Sequence, residues 1–225
     1  MYPKTDSGEY EAGVPWNGLT AVTESPSGAE PTAFWADNIK YLNLLSAEDL
    51  SLTVEAYSYP REFRKCLGRK SPVDGLIITG QRRNSFGFCY RTFVGNDVKG
   101  NDYAYKIHIV YNCLASPSEE SNNTMNDTPE IKTLSWTVST MPVKIEGVKP
   151  TAVLTINGDI LLKKGLINVL HSLEDMLYGT ADSDAIIPTM SEITDLYAYE
   201  MYVLDDDGDD ILDSSGQKIR SFVVS

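Results

Sequence analysis

The sequence predicts a mainly β, antiparallel protein with one α-helix. Three segments alternate between apolar or aromatic residues and polar residues, and a single later segment has helical spacing. Strict alternation with period two indicates a strand with one buried and one solvated face. The 225 residues, with 42% hydrophobic and 23% charged residues, suit one sizeable folded domain with arms.

The N-terminal region is expected to be an arm. Residues 1–33 contain four prolines and four glycines among polar residues, which favours an extended segment that is ordered only by a neighbour. The tail of the chain, residues 205–225, is expected to be an acidic extension, which leaves 34–204 as the β domain. Strands are predicted at 52–59, 85–94, 103–112, 133–140 and 196–204, with a further pair within 142–156.

One segment has the spacing of an amphipathic helix, predicted from about 164 to 178. Gly179 lies just after its end, where a C-capping glycine is common. The apolar face that should cover the sheet comprises Leu166, Val169, Leu170, Leu173, Met176 and Leu177.

Residues 61–83 form a basic segment, predicted to be a long exposed loop or hairpin. Seven Lys and Arg residues stand there against Glu62 and Asp74, and a loop of this length within a domain is usually functional. It could bind a polyanion or pair with acidic surface on another copy. Self-association is favoured because the same chain also carries a block of six aspartates between positions 205 and 213. The predicted inter-subunit contacts are Arg61, Arg64, Arg69, Lys70, Arg82 and Arg83, with Asp205, Asp206, Asp207, Asp209, Asp210 and Asp213.

Catalytic and metal-binding motifs are missing from the sequence. Neither His108 nor His171 has a catalytic signature around it, and the phosphate-loop, dinucleotide, nucleophile-elbow and zinc-protease patterns do not occur. The DDDGDD run resembles a calcium loop, but alignment of Gly208 with the invariant EF-hand glycine leaves both end ligands unmatched. A solvated turn explains it better, with adventitious divalent-ion binding as the alternative. We therefore expect no enzyme, no cofactor and no metal site.

The three cysteines and the net charge limit the class further. Cys66, Cys89 and Cys113 are too far apart for a zinc site or a disulfide framework, which favours reduced thiols in a cytoplasm. No apolar run is long enough to cross a membrane, and the N-terminus lacks a secretory signal. The net charge of −13 opposes sequence-specific nucleic-acid binding. It also simply favours solubility.

Four segments, in this order and spacing over most of residues 15–187, resemble the major tail proteins (tail tube proteins) of long-tailed bacteriophages and prophages of Gram-positive hosts. The first begins at Gly18 and contains the patch W-A-D-N-x-K-Y. The others are FGFCYRTFVGNDVKGNDYAYKIHIVYNCLASPSEES, SWTVSTMPVKIEGVKPTAVLTI and LEDMLYGTADSDA. The basic stretch CLGRKSPVDGLIITGQRR departs from the family pattern, in which a more acidic segment is expected, and so does the extended C-terminus.

The resemblance implies a structural virion protein with a tail-tube-type fold, a β-sandwich or barrel-like domain with a flanking α-helix. The acidic net charge would then suit a wall along which DNA slides. Subunits of this family form homohexameric rings that stack head to tail into a long non-contractile tail tube, whose inner β-barrel wall surrounds the DNA during ejection. Its implied partners are the tape measure protein, the tail terminator and the distal tail proteins, with transient, non-specific passage of DNA and no cofactor. Its location would be the phage tail, assembled in the bacterial host cytoplasm. The expected lumen-facing residues are Thr133, Ser135, Thr137 and Ser139, the alternative being an ordinary solvent-facing sheet.

Two further alternatives remain open at this point. The same chain could form the inner tube of a contractile tail or of a phage-tail-like particle. From a different class, it could be a carbohydrate- or receptor-binding β-sandwich module of a virion. That module would need a cluster of exposed aromatic residues on loops, whereas most Tyr and Trp residues here alternate along predicted strands.

Overall fold

The computed structural model describes residues 1–28, 31–45, 49–96, 100–119, 132–145 and 149–201. The chain divides into two compact units. Unit 1 comprises Met1–Phe88 and Val110–Val153, and unit 2 comprises Cys89–Ile109 and the chain from Leu154 onwards. The predicted acidic extension, 205–225, lies outside the described residues.

The described residues contain nine strands and four helices, which confirms the predicted mainly β, antiparallel fold. Four helices are present where one was expected. The strands are β1 Tyr2–Pro3, β2 Leu19–Ser27, β3 Pro31–Ala36, β4 Ile39–Leu45, β5 Asp49–Ala56, β6 Phe86–Asn96, β7 Gly100–Ala115, β8 Leu134–Ser139 and β9 Val153–Asn157; the helices are α1 Phe63–Cys66, α2 Gly158–Lys163, α3 Ile167–Tyr178 and α4 Met190–Met201.

The main sheet has the strand order β1-β6-β7-β8-β5-β2, and β9 pairs with β7. Along β8, Trp136 and Val138 are buried, whereas Ser135, Thr137 and Ser139 are exposed. The alternation predicted for this strand therefore corresponds to a core face and a solvent face.

Aromatic rings form the centre of the unit 1 core. The ring of Trp136 lies 5.6 Å from Trp16, 5.6 Å from Tyr59 and 5.4 Å from Phe63, measured between centroids. The interplanar angles of 64° to 88° correspond to edge-to-face packing, which aromatic pairs prefer. Because Phe63 belongs to α1, this core anchors the start of the basic segment.

The structure differs from the arm expected at residues 1–33. Met1 and Tyr2 are buried, and β2 is paired with β5 along its length. The sequence of β2, LTAVTESPS, is rich in small polar residues and contains a proline. Pairing with β5 through the backbone makes it a strand, since strand formation depends more on neighbours than on intrinsic propensity.

A separate two-stranded sheet is formed by β3 and β4. Asp37 and Asn38 join the strands with φ of 51° and 63°. Two consecutive positive φ values are what a type I′ hairpin turn requires, and Asp and Asn tolerate them better than most residues. The W-A-D-N-x-K-Y patch is therefore the tip of a tight hairpin.

Unit 2 contains α2, α3 and α4. The predicted helix at 164–178 corresponds to α3, and Gly165, with φ of 75°, separates it from α2. Gly179 occupies the predicted C-cap position, also with φ of 75°.

The strand predicted at 196–204 is wrong for its described residues, 196–201, which belong to α4. Thr189 and Glu192 cap the start of this helix. Glu192 Oε2 accepts hydrogen bonds from the backbone N–H and the hydroxyl of Thr189, and Thr189 Oγ1 accepts one from the backbone N–H of Glu192. This T-x-x-E capping box overrides the local strand-like Tyr alternation, and it was visible in the sequence.

Candidate functional site

Two surfaces of unit 1 bring the predicted functional residues together: a hydroxyl-rich face of the sheet and a basic cavity. The hydroxyl-rich face spans three neighbouring strands, β2, β5 and β8. Its cross-strand rows are Thr23–Thr53–Thr137, Ser25–Ser51–Ser139 and Ala21–Glu55–Ser135. Residues directly opposite each other in a sheet point to the same side, so seven of these nine side chains give one continuous surface of short hydroxyls.

The hydroxyls of this face are partly occupied by the sheet itself. Ser51 Oγ donates to the carbonyl of Ser25 at 3.2 Å, and Ser139 Oγ donates to the carbonyl of Leu114 at 3.4 Å. The acidic Glu55 is the charged member of the rows. Such a surface offers few strong hydrogen-bond donors to a phosphate, and the Glu55 carboxylate repels it. Nucleic acid should therefore bind this surface only weakly.

Thr133, the fourth predicted lumen residue, is exposed immediately before β8. The other three lie in the rows described above. Whether this face lines a channel is a property of the assembly, so the lumen assignment stays a prediction.

The basic segment 61–83 folds as α1 followed by a small hairpin. Lys70 and Ile78 exchange two backbone hydrogen bonds of 2.9 and 2.8 Å. The chain then returns towards α1, where the N–H of Gln81 donates to the carbonyl of Gly68 at 2.9 Å. The predicted loop is therefore held at both ends.

Gly68 makes this return close. Its φ is 67°, and a Cβ at this position would lie 2.4 Å from the carbonyl oxygen of Gln81. A side chain is excluded there by both the backbone conformation and the space. Glycine at this position therefore brings the returning chain against α1.

The space enclosed by α1, the hairpin and the N-terminal residues is a cavity of about 560 Å³. Five of the six predicted basic contact residues line it, together with Lys65, which was not predicted. Since Asp6, Glu11 and Glu62 also line it, the cavity has a formal charge of +3. The complete lining is Thr5, Asp6, Glu11, Arg61, Glu62, Arg64, Lys65, Arg69, Lys70, Ser71, Gln81, Arg82 and Asn84.

Some of these cations already have internal partners. Lys65 Nζ lies 3.5 Å from a carboxylate oxygen of Glu11, and Arg69 Nη1 donates to the hydroxyl of Tyr59 at 3.0 Å. In contrast, Arg64 Nε is buried, and no hydrogen-bond acceptor lies within reach of it among the described residues. A buried donor without an acceptor is costly for the fold, and the formal charge of +3 favours an anion in the cavity.

Arg83 is set apart from the other predicted basic contacts. Its Nη1 donates to the carbonyl of Ala115 at 2.7 Å within unit 1, so we assign it a structural role. This pairing joins positions 32 residues apart and has no local sequence signal. The acidic residues predicted to meet the basic segment, Asp205 to Asp213, lie outside the described residues.

His108 and Cys66 are both engaged within the fold. The two ring nitrogens of His108 lie 2.9 Å from Thr92 Oγ1 and 3.3 Å from Thr155 Oγ1, and its ring stacks on Tyr90. Burial raises the pKa of the Cys66 thiol to about 12, which keeps it neutral and weakly nucleophilic near pH 7. In the part of the chain that the structure describes, no group of His, Cys, Asp and Glu could hold a metal ion, and no helix is long and apolar enough to span a membrane.

Comparisons with known proteins leave the family open. No protein-family model matches the chain, and no curated protein is significantly similar to it.

Proposed function

We propose that this protein is a tail tube protein, a structural subunit whose homohexameric rings stack into the tube through which phage DNA is ejected. The observation that carries the proposal is the hydroxyl-rich face of β2, β5 and β8. A channel for DNA needs a wall that excludes strong phosphate contacts, and short hydroxyls that bond back to the sheet meet that need. The net charge of −13 acts in the same direction.

The edge of the main sheet supports the same proposal. The nine-residue β2 is the last strand in the order β1-β6-β7-β8-β5-β2. A long edge strand presents unpaired backbone groups, which proteins normally cover or close. Neighbouring subunits in a ring would close the sheets into one barrel, with the hydroxyl-rich face inside.

In this assembly the basic cavity serves contact between subunits. Its excess positive charge would meet carboxylates of a neighbouring copy, with the aspartates between 205 and 213 as the expected acidic block. The tape measure protein, the tail terminator and the distal tail proteins are the proposed partners in the virion. No catalytic step is part of the proposal.

Negative-stain microscopy of the purified protein is the direct test of assembly. Rings or tubes with six-fold end views are expected. Particles in which the protein is present only as single, unassembled subunits would overturn the proposal. A sheath gene beside this one would assign the chain to a contractile tail instead.

Cysteine labelling then tests which face lines the channel. The variant Thr137→Cys should react with a small maleimide both as subunit and as tube. A maleimide attached to a polymer too large for the lumen should label only the subunit. The unmodified protein is the control for labelling of its own three cysteines. Cys66 and Cys113 are buried, and burial raises the pKa of the Cys66 and Cys89 thiols to about 12. Equal labelling of the tube by both reagents would place the hydroxyl-rich face outside.

A second candidate function is favoured by one observation. The β3–β4 hairpin carries exposed aromatic side chains, Phe34, Trp35 and Tyr41, as a carbohydrate- or receptor-binding module of a virion would require. Binding of the monomeric protein to host cell-wall glycans, with no ring formation at high concentration, would favour that function over a tube.

A further inference from the structure

The tip of the β3–β4 hairpin is an exposed apolar surface. The exposed fractions are 49% for Phe34, 68% for Trp35, 62% for Ile39 and 77% for Tyr41. An isolated two-stranded hairpin is marginally stable in water, and a cluster of exposed large apolar side chains marks an interaction site. The hairpin tip therefore has the properties of a docking element.

Unit 2 contains an apolar groove between β9 and α4, with a volume of about 320 Å³. One side of α4 contributes positions 190, 193, 194 and 197, which follow helical spacing and so share a face. Among the residues that the structure describes, those that line the groove are all uncharged: Leu154, Thr155, Ile156, Met190, Ile193, Thr194 and Tyr197. Its size and chemistry suit an inserted aromatic side chain.

We propose that the hairpin tip of one copy docks into the β9–α4 groove of a second copy of this chain. Charge complementarity supports this occupant. In the hairpin register Lys40 lies directly opposite Trp35, so the two side chains share a face, and Lys40 is exposed. Asp195 is exposed on α4 beside Thr194 of the groove. With Trp35 inserted, the Lys40 cation would face a carboxylate at the groove margin.

The proposed contact is heterologous, because it joins two different surfaces of the protein. The hairpin tip and the groove are different surfaces, so each copy can donate to one neighbour and accept from another. Such heterologous contacts repeat from copy to copy and generate rings or filaments, whereas a two-fold dimer uses one surface twice. The inference deepens the proposed function and rests on it, because it supplies a self-association contact for the stacked tube.

Intermolecular crosslinking tests the contact. The full-length variants Lys40→Cys and Asp195→Cys keep Trp35 and Tyr41 in place; they are mixed and oxidised with diamide, which converts the two thiols to a disulfide. A covalent dimer is expected in the mixture on a non-reducing gel. The matched control replaces Asp195→Cys by Thr180→Cys, an exposed threonine of unit 2 that does not line the groove. Equal yields from both mixtures would overturn the proposal.

A single chain carrying both Lys40→Cys and Asp195→Cys tests the intramolecular alternative. Crosslinking between copies predicts covalent oligomers that form more readily at higher protein concentration. A disulfide that closes within the monomer at every concentration would overturn the proposal.

Loss of the anchors should weaken assembly. For Trp35→Ala with Tyr41→Ala we expect at least a 30-fold rise in the protein concentration needed for tubes, which corresponds to about 2 kcal/mol for an interface hot spot. Tubes formed at the same concentration as the unmodified protein would overturn this inference and leave the proposed function standing. Failure of the unmodified protein to assemble would instead refute the proposed function. A variant that assembles normally but no longer binds host cell-wall glycans would assign the hairpin to glycan binding.

Discussion

Charge reversal at Lys70 and Arg82 tests whether the basic cavity holds a neighbouring copy. Both side chains are exposed and line the cavity. They are better choices than Arg69, whose guanidinium also bonds Tyr59 within the fold. An exposed ion pair contributes about 0.2–1 kcal/mol, and reversal replaces an attraction by a repulsion of similar size. Two reversals should weaken the association free energy at each interface by about 1–4 kcal/mol. Between two of the proposed hexameric rings, six such interfaces should together lose about 5–25 kcal/mol.

Tube length measured by negative-stain microscopy, at 0.1 M and 1 M NaCl, is the assay. The variant Lys70→Glu with Arg82→Glu should give single rings or short stacks at 0.1 M. The difference from the unmodified protein should narrow at 1 M, because the screening length falls from about 10 Å to about 3 Å. Normal tubes from the variant at both salt concentrations would refute the reasoning.

The control is Lys144→Glu with Lys149→Glu, which changes the net charge equally at two exposed lysines outside the cavity lining. Equal shortening in the control would attribute the effect to overall charge. If the basic segment instead contacts DNA in the lumen, the cavity variant should assemble normally and change only ejection.

Three further predictions concern unit 1 and are checked by urea unfolding. Gly75→Ala should cost about 1–2 kcal/mol for its positive φ alone, and Gly68→Ala should cost more, because its Cβ would also lie 2.4 Å from a backbone oxygen; equal costs would contradict the close approach. Trp136→Ala should cost about 3–5 kcal/mol, whereas Thr137→Ala on the solvent face should stay within about 0.5 kcal/mol. Burial raises the pKa of Cys66 to about 12, above about 8.5 in the unfolded chain. The unfolded state therefore loses this proton first, and this thiol should lower stability by about 1.4 kcal/mol per pH unit between those two pH values. Burial also raises the pKa of the Cys89 and Cys113 thiols, so Cys66→Ala should reduce the total slope by that amount without abolishing it. An unchanged slope would count against the assignment.

Local pattern predicted the fold where one residue type dominates each face. The β8 alternation of Trp136 and Val138 with hydroxyl residues is an example, and the apolar stripe of α3 is another. Pattern failed where pairing came from distant residues. β2 has the composition of a loop and becomes a strand by pairing with β5, and the Tyr residues of α4 alternate like a strand although a capping box starts a helix.

The sequence predicted the candidate sites in part: it located the basic segment, but not which of its residues share the cavity. Charge clustering identified the basic segment, because seven of the chain's 19 Lys and Arg residues lie within 61–83. It could not distinguish Arg83, which bonds Ala115, from the five residues that share the cavity. The hydroxyl rows were equally hidden, since they require the register of three strands that are far apart in sequence.

The positive charge of the chain is concentrated in the basic segment, and the rest of the surface is strongly acidic. Residues 61–83 carry a net charge of +5, so the rest of the chain carries −18. Copies therefore repel one another unless the basic cavity meets acidic surface, and sodium chloride screens that attraction together with the general repulsion. The proposed apolar hairpin contact should instead be strengthened by sulfate, because sulfate favours the burial of apolar surface. Ammonium sulfate should thus restore tubes to the cavity variant Lys70→Glu with Arg82→Glu, because its hairpin contact is intact. It should fail to restore them to Trp35→Ala with Tyr41→Ala. Equal rescue of both variants would show that the two surfaces do not make separate contacts.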